Sequence, residues 1–380
     1  MNKPLENPYA ARGENARKVL QRDPEPMLLR PYPMRSVTAR NRIVVSPMCQ
    51  YCATDGIPDD WHFQNLASRA VGGAGIVFAE ATAITAEGRA TPFDLGLYND
   101  AQQAAFARIA AFVKGSGAIP AIQIVHAGRK SSTGHPSEGG RPILPADGGW
   151  EAIGPSALPF REGSLVPRAM TQADIDRAVS DFAASARRAR AAGFEVLEIH
   201  AAHGYLIHQF LSPIANHRDD GYGGSLANRA RFLLEVVASV REEWPDTLPL
   251  FVRISASDWV EGGWTLADSV ELAKLLKQTG KVDVVDCSSG AMSPLQKIRI
   301  FPGYQVHLAA GVRQGAGIAT GAVGLINSAE LAEHVLQSEQ ADLIFIGRGM
   351  LGDPYWPIRA AKQLRARIDW PKQYERGDIY

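Results

Sequence analysis

Two imidazoles and a phenol fall within the stretch Glu198-Ile199-His200-Ala201-Ala202-His203-Gly204-Tyr205, at spacings of three and two, directly after an apolar run that starts at Phe194. A buried strand reads as such a run, so the polar groups are delivered to one rim. Two neutral histidines can donate hydrogen bonds to one oxygen, and a phenol just beyond them can pass a proton to the molecule that the oxygen activates. That is equipment for polarising a carbonyl. Ordinary loop histidines are the bland alternative, and half of a metal site is another, one that would need carboxylates or further histidines at matched positions.

Other residue types that carry chemistry recur where apolar runs end. Ser46-Pro47-Met48-Cys49-Gln50-Tyr51-Cys52 follows the first run, Glu80-Ala81 the second, and Gln123 lies inside the third with His126 behind it. Arg253 lies in the fifth, Gly324 follows the seventh and Gly347-Arg348 the eighth. Glycine amides and an arginine fork at the last two ends suit a phosphate. Gln123 and Arg253 are long donors, and no acid shares the segment of Arg253, which points to a ligand with an electron-rich edge such as an isoalloxazine ring. Cys49 and Cys52 form a Cys-x-x-Cys without the second pair a zinc site requires, so a single soft sulfur, Cys49, against a cofactor face is the preferred reading.

Positioning these groups takes eight strand-then-helix units. The second helix spans 101–114, the third strand Ile119–Val125 and the fifth strand Leu250–Ile254; the Gly/Pro/Ser-rich segment 127–170 is a long excursion after strand 3. Thr171 and Thr265, each followed three residues later by an aspartate, read as helix starts. Eight such units predict a single (β/α)8 TIM barrel, whose chemistry collects at the C-terminal rim of the strands. A doubly wound sheet would want a Gly-x-Gly-x-x-Gly turn after its first strand, and the sequence has none. The domain reading is an N-terminal arm over 1–30, the barrel over 31–366 and a C-terminal tail over 367–380.

Forty basic and forty acidic residues among 380 give no net charge, which argues against nucleic acid or an anionic membrane as partner. Three cysteines make no disulfide framework, and no export signal or membrane-spanning run is evident, so a cytoplasmic location is expected.

The motifs Ser46-Pro47-Met48-Cys49, Ile122-Gln123 with His126-Ala127-Gly128-Arg129, His200-x-x-His203-Gly204-Tyr205, Gly221-Tyr222-Gly223-Gly224-Ser225-Leu226-x-Asn228-Arg229, Phe301-Pro302-Gly303-Tyr304-Gln305-Val306, Ile346-Gly347-Arg348 and Gln373-Tyr374-Glu375-Arg376-Gly377 occur in this order. Together they resemble the old yellow enzyme family, in its bacterial branch with an active-site cysteine, from about Pro31 to Gly377. The resemblance implies an FMN-containing NADPH dehydrogenase that reduces activated C=C bonds of enones. It implies FMN held by Ser46, Pro47, Met48, Cys49, Ala81, Gln123, Arg253, Gly324, Gly347 and Arg348. His200 and His203 would bind the substrate oxygen, Tyr205 would supply the proton, and Tyr51 would be a second substrate contact. Arg376 would reach a partner subunit's site in a homodimer or homotetramer, and no metal is implied. Another FMN barrel oxidising its substrate, a metal-dependent hydrolase using His200 and His203, and a silent flavin-binding barrel are the rival readings. Cys52, the N-terminal arm and the segment Ala291–Ile300 depart from the family pattern.

Overall fold

The computed structural model describes residues 25–378. A hairpin of β1 (Tyr32–Met34) and β2 (Val37–Ala39) leads into β3 (Ile43–Val45), α1 (Asp60–Val71), β4 (Ile76–Ala83), α2 (Asp100–Gly115) and β5 (Ile119–Val125). The excursion carries a two-residue parallel pair, β6 (Ile153–Gly154) with β7 (Arg168–Ala169), and ends at α3 (Gln172–Ala191). Then come β8 (Val196–Ala201), α4 (Leu206–Leu211), α5 (Leu226–Glu243), β9 (Leu250–Ser255), α6 (Leu266–Gln278), β10 (Val284–Ser288) and α7 (Val306–Ala316). The chain finishes with β11 (Ala319–Ala322), α8 (Ala329–Gln337), β12 (Leu343–Ile346), α9 (Arg348–Gly352) and α10 (Trp356–Gln363). Strands β3, β4, β5, β8, β9, β10, β11 and β12 close into one parallel barrel in chain order. This is the expected (β/α)8 architecture.

Helix starts follow from local chemistry. Asp59, Asn99, Thr171 and Thr265 each accept a backbone N–H of the first turn, and after the last three the side chain three residues on returns a bond to the cap, a reciprocal arrangement that satisfies two otherwise orphaned donors. The buried helix faces pack on the outside of the barrel, with Phe106, Phe182, Phe232 and Trp244 fully enclosed.

Inside the barrel, alternation along each strand sets the layers. Val44, Ile76, Phe78, Ile119, Ala121, Val196, Phe251, Val284, Leu343 and Phe345 form a separate apolar cluster. Two residues further along the same strands the inward positions become Ser46, Glu80, Gln123, Glu198, Arg253, Asp286 and Gly347. The polar rim is therefore the continuation of an apolar plug by one step of the pleat.

The β1–β2 hairpin, which the sequence reading did not foresee, covers the lower end: Met34 and Ala39 are buried against that apolar cluster. Arg35 at its turn ties it to the barrel floor, with Nε 2.6 Å from Asp283 and Nη1 donating to Asp246 O at 2.6 Å. Of the arm expected over 1–30, residues 1–24 lie outside the described residues. Its end is packed, since Leu28 and Leu29 are buried and the N–H groups of Met27 and Leu28 donate to the Glu333 carboxylate at 2.9 and 2.8 Å. No helix among the described residues is long and apolar enough to cross a membrane.

Candidate active site

His200 is the penultimate residue of β8, and Tyr205 is the residue from which α4 departs, so strand and helix fix the two ends of the intervening turn. The His200 ring lies edge-on to both His203 and Tyr205, with centroids 5.1 and 5.0 Å apart. The sequence-predicted trio is thus one cluster. Gly204 holds a positive φ of 73°, and a Cβ there would collide with Ala291 O, so the turn needs glycine on both counts. Gln209 Nε2 donates to Gly204 O at 2.7 Å, and His208 Nδ1 accepts from Gly204 N at 2.9 Å while its Nε2 sits 3.0 Å from Asp258. The α4 turn, read from the sequence as loop, is what clamps the trio.

Hydrogen bonding decides which ring nitrogens can donate. His200 Nδ1 accepts from Ala202 N at 3.2 Å, so Nε2 bears the hydrogen. His203 Nε2 lies 2.7 Å from Ser288 Oγ; with that hydroxyl donating, Nδ1 bears the hydrogen. Burial holds both imidazoles well below their ordinary pKa, with neighbouring cations, Arg253 and Lys130 among them, adding to it. Both are neutral donors at physiological pH. Burial, then the charges of Cys49 and Tyr51, push the Tyr205 phenol well above its ordinary value, so it keeps its proton until a strong base meets it.

Below the trio lies a buried polar layer in which Gln123 and Arg253 meet partners from neighbouring strands. Gln123 Nε2 donates to Glu198 Oε1 at 2.7 Å. Arg253 finds its acid not in its own segment but on the neighbouring strand, where Asp286, its register partner, stands 3.0 Å from Nε. Asp286 is pushed up to about 6 by burial with Arg253 opposing, and Glu198 is raised well above the carboxylate range by burial and by Asp286. One cation faces two acids, so Glu198 holds its proton and Asp286 pairs with the guanidinium. A lone acid inside each of the apolar runs Val284–Ser288 and Val196–Ala201 was the available signal. Neither terminal nitrogen of Arg253 donates to another described residue.

A cavity of about 240 Å³ is lined by Ser46, Pro47, Met48, His203, Arg253, Ser288, Gly324, Gly347 and Arg348. Gly324 has φ +125°, a conformation other residues rarely adopt, and Arg348 has no ion-pair partner among the described residues. Cys49 is pushed well above an ordinary thiol by burial and by Glu80 and Asp94, with Tyr51 and the Ala81 backbone opposing. A second cavity, of about 350 Å³, reaches Tyr51 and Tyr205 from outside and is walled by Arg129, Lys130, Phe160 and Arg161. Lys130 was not singled out by sequence reading; it donates to the carbonyls of His203 and Ala291 and lies 5.8 Å from the Tyr205 ring centroid. Its motif neighbour Arg129 was the available clue. Arg376 sits in an exposed turn (Lys372–Gly377), and no hydrogen bond or ion pair ties it to these groups among the described residues.

The sequence matches the NADH:flavin oxidoreductase / NADH oxidase family over residues 27–367. The chain belongs to that family. It is 50% identical over 355 residues to an NADPH dehydrogenase of Geobacillus sp. (strain WCH70), covering 93% of this chain and 99% of the relative. The old yellow enzyme homologue from Zymomonas mobilis superposes with a TM-score of 0.76 at 27% identity, covering 93% of this chain and 98% of the other. A 2-naphthoyl-CoA reductase complex gives a TM-score of 0.80 at 28% identity, covering 89% of this chain and 52% of that one. The protein is accordingly an oxidoreductase of the old yellow enzyme class, and the hydrolase alternative ends there. The donor set fits the flavin of this family, through the free end of Arg253, the bare backbone at Gly324 and Gly347, and the unpaired Arg348.

Proposed function

We propose that this protein uses NADPH to reduce the activated C=C bond of α,β-unsaturated carbonyl compounds, with FMN as cofactor. The observation that carries the reading is the trio of neutral groups: two imidazole N–H donors and one protonated phenol, their rings 5.0–5.1 Å apart. Ser46, Pro47, Met48, Cys49, Ala81, Gln123, Arg253, Gly324, Gly347 and Arg348 would hold FMN, which when bound would supply the hydride-transfer chemistry between NADPH and the substrate β-carbon.

His200 Nε2–H and His203 Nδ1–H donate to the carbonyl oxygen and take up the negative charge that develops there. Tyr205 Oη gives its proton to the α-carbon, so one hydride and one proton are added and the C=C bond becomes C–C. A phenol is weak as an acid in water, yet it suffices against a carbanionic carbon and is regenerated from solvent. Tyr51 and Cys49 complete the wall against which the electrophile lies. Arg376 is assigned to a partner subunit's mouth, which makes the working form a homodimer or homotetramer; the location is cytoplasmic.

Tyr205→Phe tests the reading. Enone reduction should slow by roughly 10²–10⁴-fold while anaerobic flavin reduction by NADPH is retained. Equal slowing of both half-reactions would remove Tyr205 from the role of acid.

A further inference from the structure

Behind the Cys49 loop, three side chains converge on one imidazole. His62 lies in the first turn of α1, Asp59 is that helix's cap, Cys52 ends the loop and Glu80 lies in β4. Asp59 Oδ1 stands 2.6 Å from His62 Nδ1. Asp59 N also lies 3.1 Å from that nitrogen, but the shorter contact is with a carboxylate that has no hydrogen to give, so Nδ1 bears the hydrogen and Nε2 presents a bare lone pair. Around that lone pair stand Cys52 Sγ at 3.7 Å and Glu80 Oε2 at 3.9 Å. Ligand atoms of Cys52, Asp59 and His62 all lie within 4.8 Å of one another.

These separations match the edges of a coordination tetrahedron. Zn–S and Zn–N bonds at the tetrahedral angle put sulfur and nitrogen about 3.6 Å apart, and nitrogen and oxygen about 3.4 Å apart. The first edge is already present, and the second closes by a small turn of the Glu80 side chain. The His62 and Glu80 side chains are almost wholly buried, at 1% and 3% exposure, whereas Cys52 is exposed. The ion would therefore enter from the Cys52 side, where water can occupy the fourth position. We propose that Cys52 Sγ, His62 Nε2 and Glu80 Oε2 form a site for a thiophilic divalent cation, zinc above all, with Asp59 orienting the imidazole from behind.

The electrostatics agree with that geometry. Burial, then Asp59 and Glu80, push Cys52 up to about 11, and burial pushes Glu80 up to about 8, so both acids lack a nearby positive charge. Burial keeps His62 neutral, the form a metal requires. The Asp59–His62 pair reproduces the carboxylate–histidine arrangement that fixes ligand tautomers in metal proteins. Glu80 Oε1 also accepts from Gln50 N at 3.0 Å, so an ion held by Oε2 would staple the Cys49–Cys52 loop to β4 and α1.

The test uses flavin-loaded enzyme stripped with a chelator, titrated with zinc by calorimetry, then gel-filtered and assayed for metal. Wild type should retain one zinc per chain and Cys52→Ser should retain none. Asp59→Asn, which keeps the helix cap, should weaken binding by about 10–100-fold. The flavin spectrum of each variant reports its folding, and exposed Cys52 is a mild substitution should His62→Gln fail to fold. Wild type that retains no zinc overturns the proposal; zinc held equally by Cys52→Ser places it elsewhere on the surface and overturns it as well.

Discussion

The two halves of the barrel interior are built from the same strands and obey opposite rules. In the lower half, Phe78 meets Phe251 and Phe345 with centroids 6.0 and 5.9 Å apart, inside the apolar cluster. In the upper half, Glu198, Arg253 and Asp286 are just as buried, and Glu198 Oε2 and Asp286 Oδ1 have no hydrogen-bond partner among the described residues. Burying polar atoms without partners is costly, so the upper half gives up stability for a set of donors and acceptors that await a ligand, while the lower half holds the barrel closed. One step of strand pleat separates structure from chemistry.

Substitutions should divide along that line. Phe78→Ala in the lower half should lower unfolding free energy by about 3–5 kcal/mol in denaturant titration and leave the rate per folded, flavin-loaded molecule largely intact. If the rate fell with the stability, the halves would not be separable. In the upper half, His200→Ala should cost about 10²–10³-fold in enone reduction and abolish the long-wavelength band that a bound phenol gives with the flavin, with the melting temperature little changed. Loss of flavin instead would move His200 from the substrate to the cofactor.

Smaller effects sharpen the comparison at its edges. Asp174, in the first turn of α3, accepts from the Thr171 cap and binds Arg168 of the excursion at 2.7 Å, and that last contact above all holds its carboxyl well below the usual range. A depressed acid contributes fully above its unfolded value, about pH 4, and the contribution is lost as pH falls through the folded value. Proteolysis of the excursion should therefore rise on acidification below about pH 4 before the barrel itself unfolds, and Asp174→Asn should remove that dependence. The least effect is expected from pH on the chemistry. His200 and His203 titrate well below, and Tyr205 well above, the neutral range, which leaves Lys130, lowered to about 7 by burial and by Arg129 and Arg161, as the group that changes charge near the phenol. The rate of enone reduction should show one shallow inflection near 7, and Lys130→Met should flatten it.

Much of this was legible in the sequence because apolar runs and turn residues mark parallel strands well, and because the reactive residues stand where those runs stop. The trio at His200, His203 and Tyr205 was found from type and spacing alone. What escaped depended on contacts distant in sequence. The strands of the β1–β2 hairpin are three residues each, one interrupted by Pro33, too short for alternation to register. The partners of Arg253 and Gln123 come from neighbouring strands, and only the register brings Asp286 and Glu198 beside them. Helix α4 hid because its first turn follows immediately on residues that read as loop.

The hairpin stopper at the barrel floor has a further consequence. With Met34 and Ala39 packed into the lower apolar cluster, the cavity that reaches Tyr51 and Tyr205 opens at the opposite end, beneath the excursion. Under the proposed reaction, an electron donor and an electron acceptor sharing that cavity would visit in turn, each leaving before the other arrives, and an excess of either should obstruct the other.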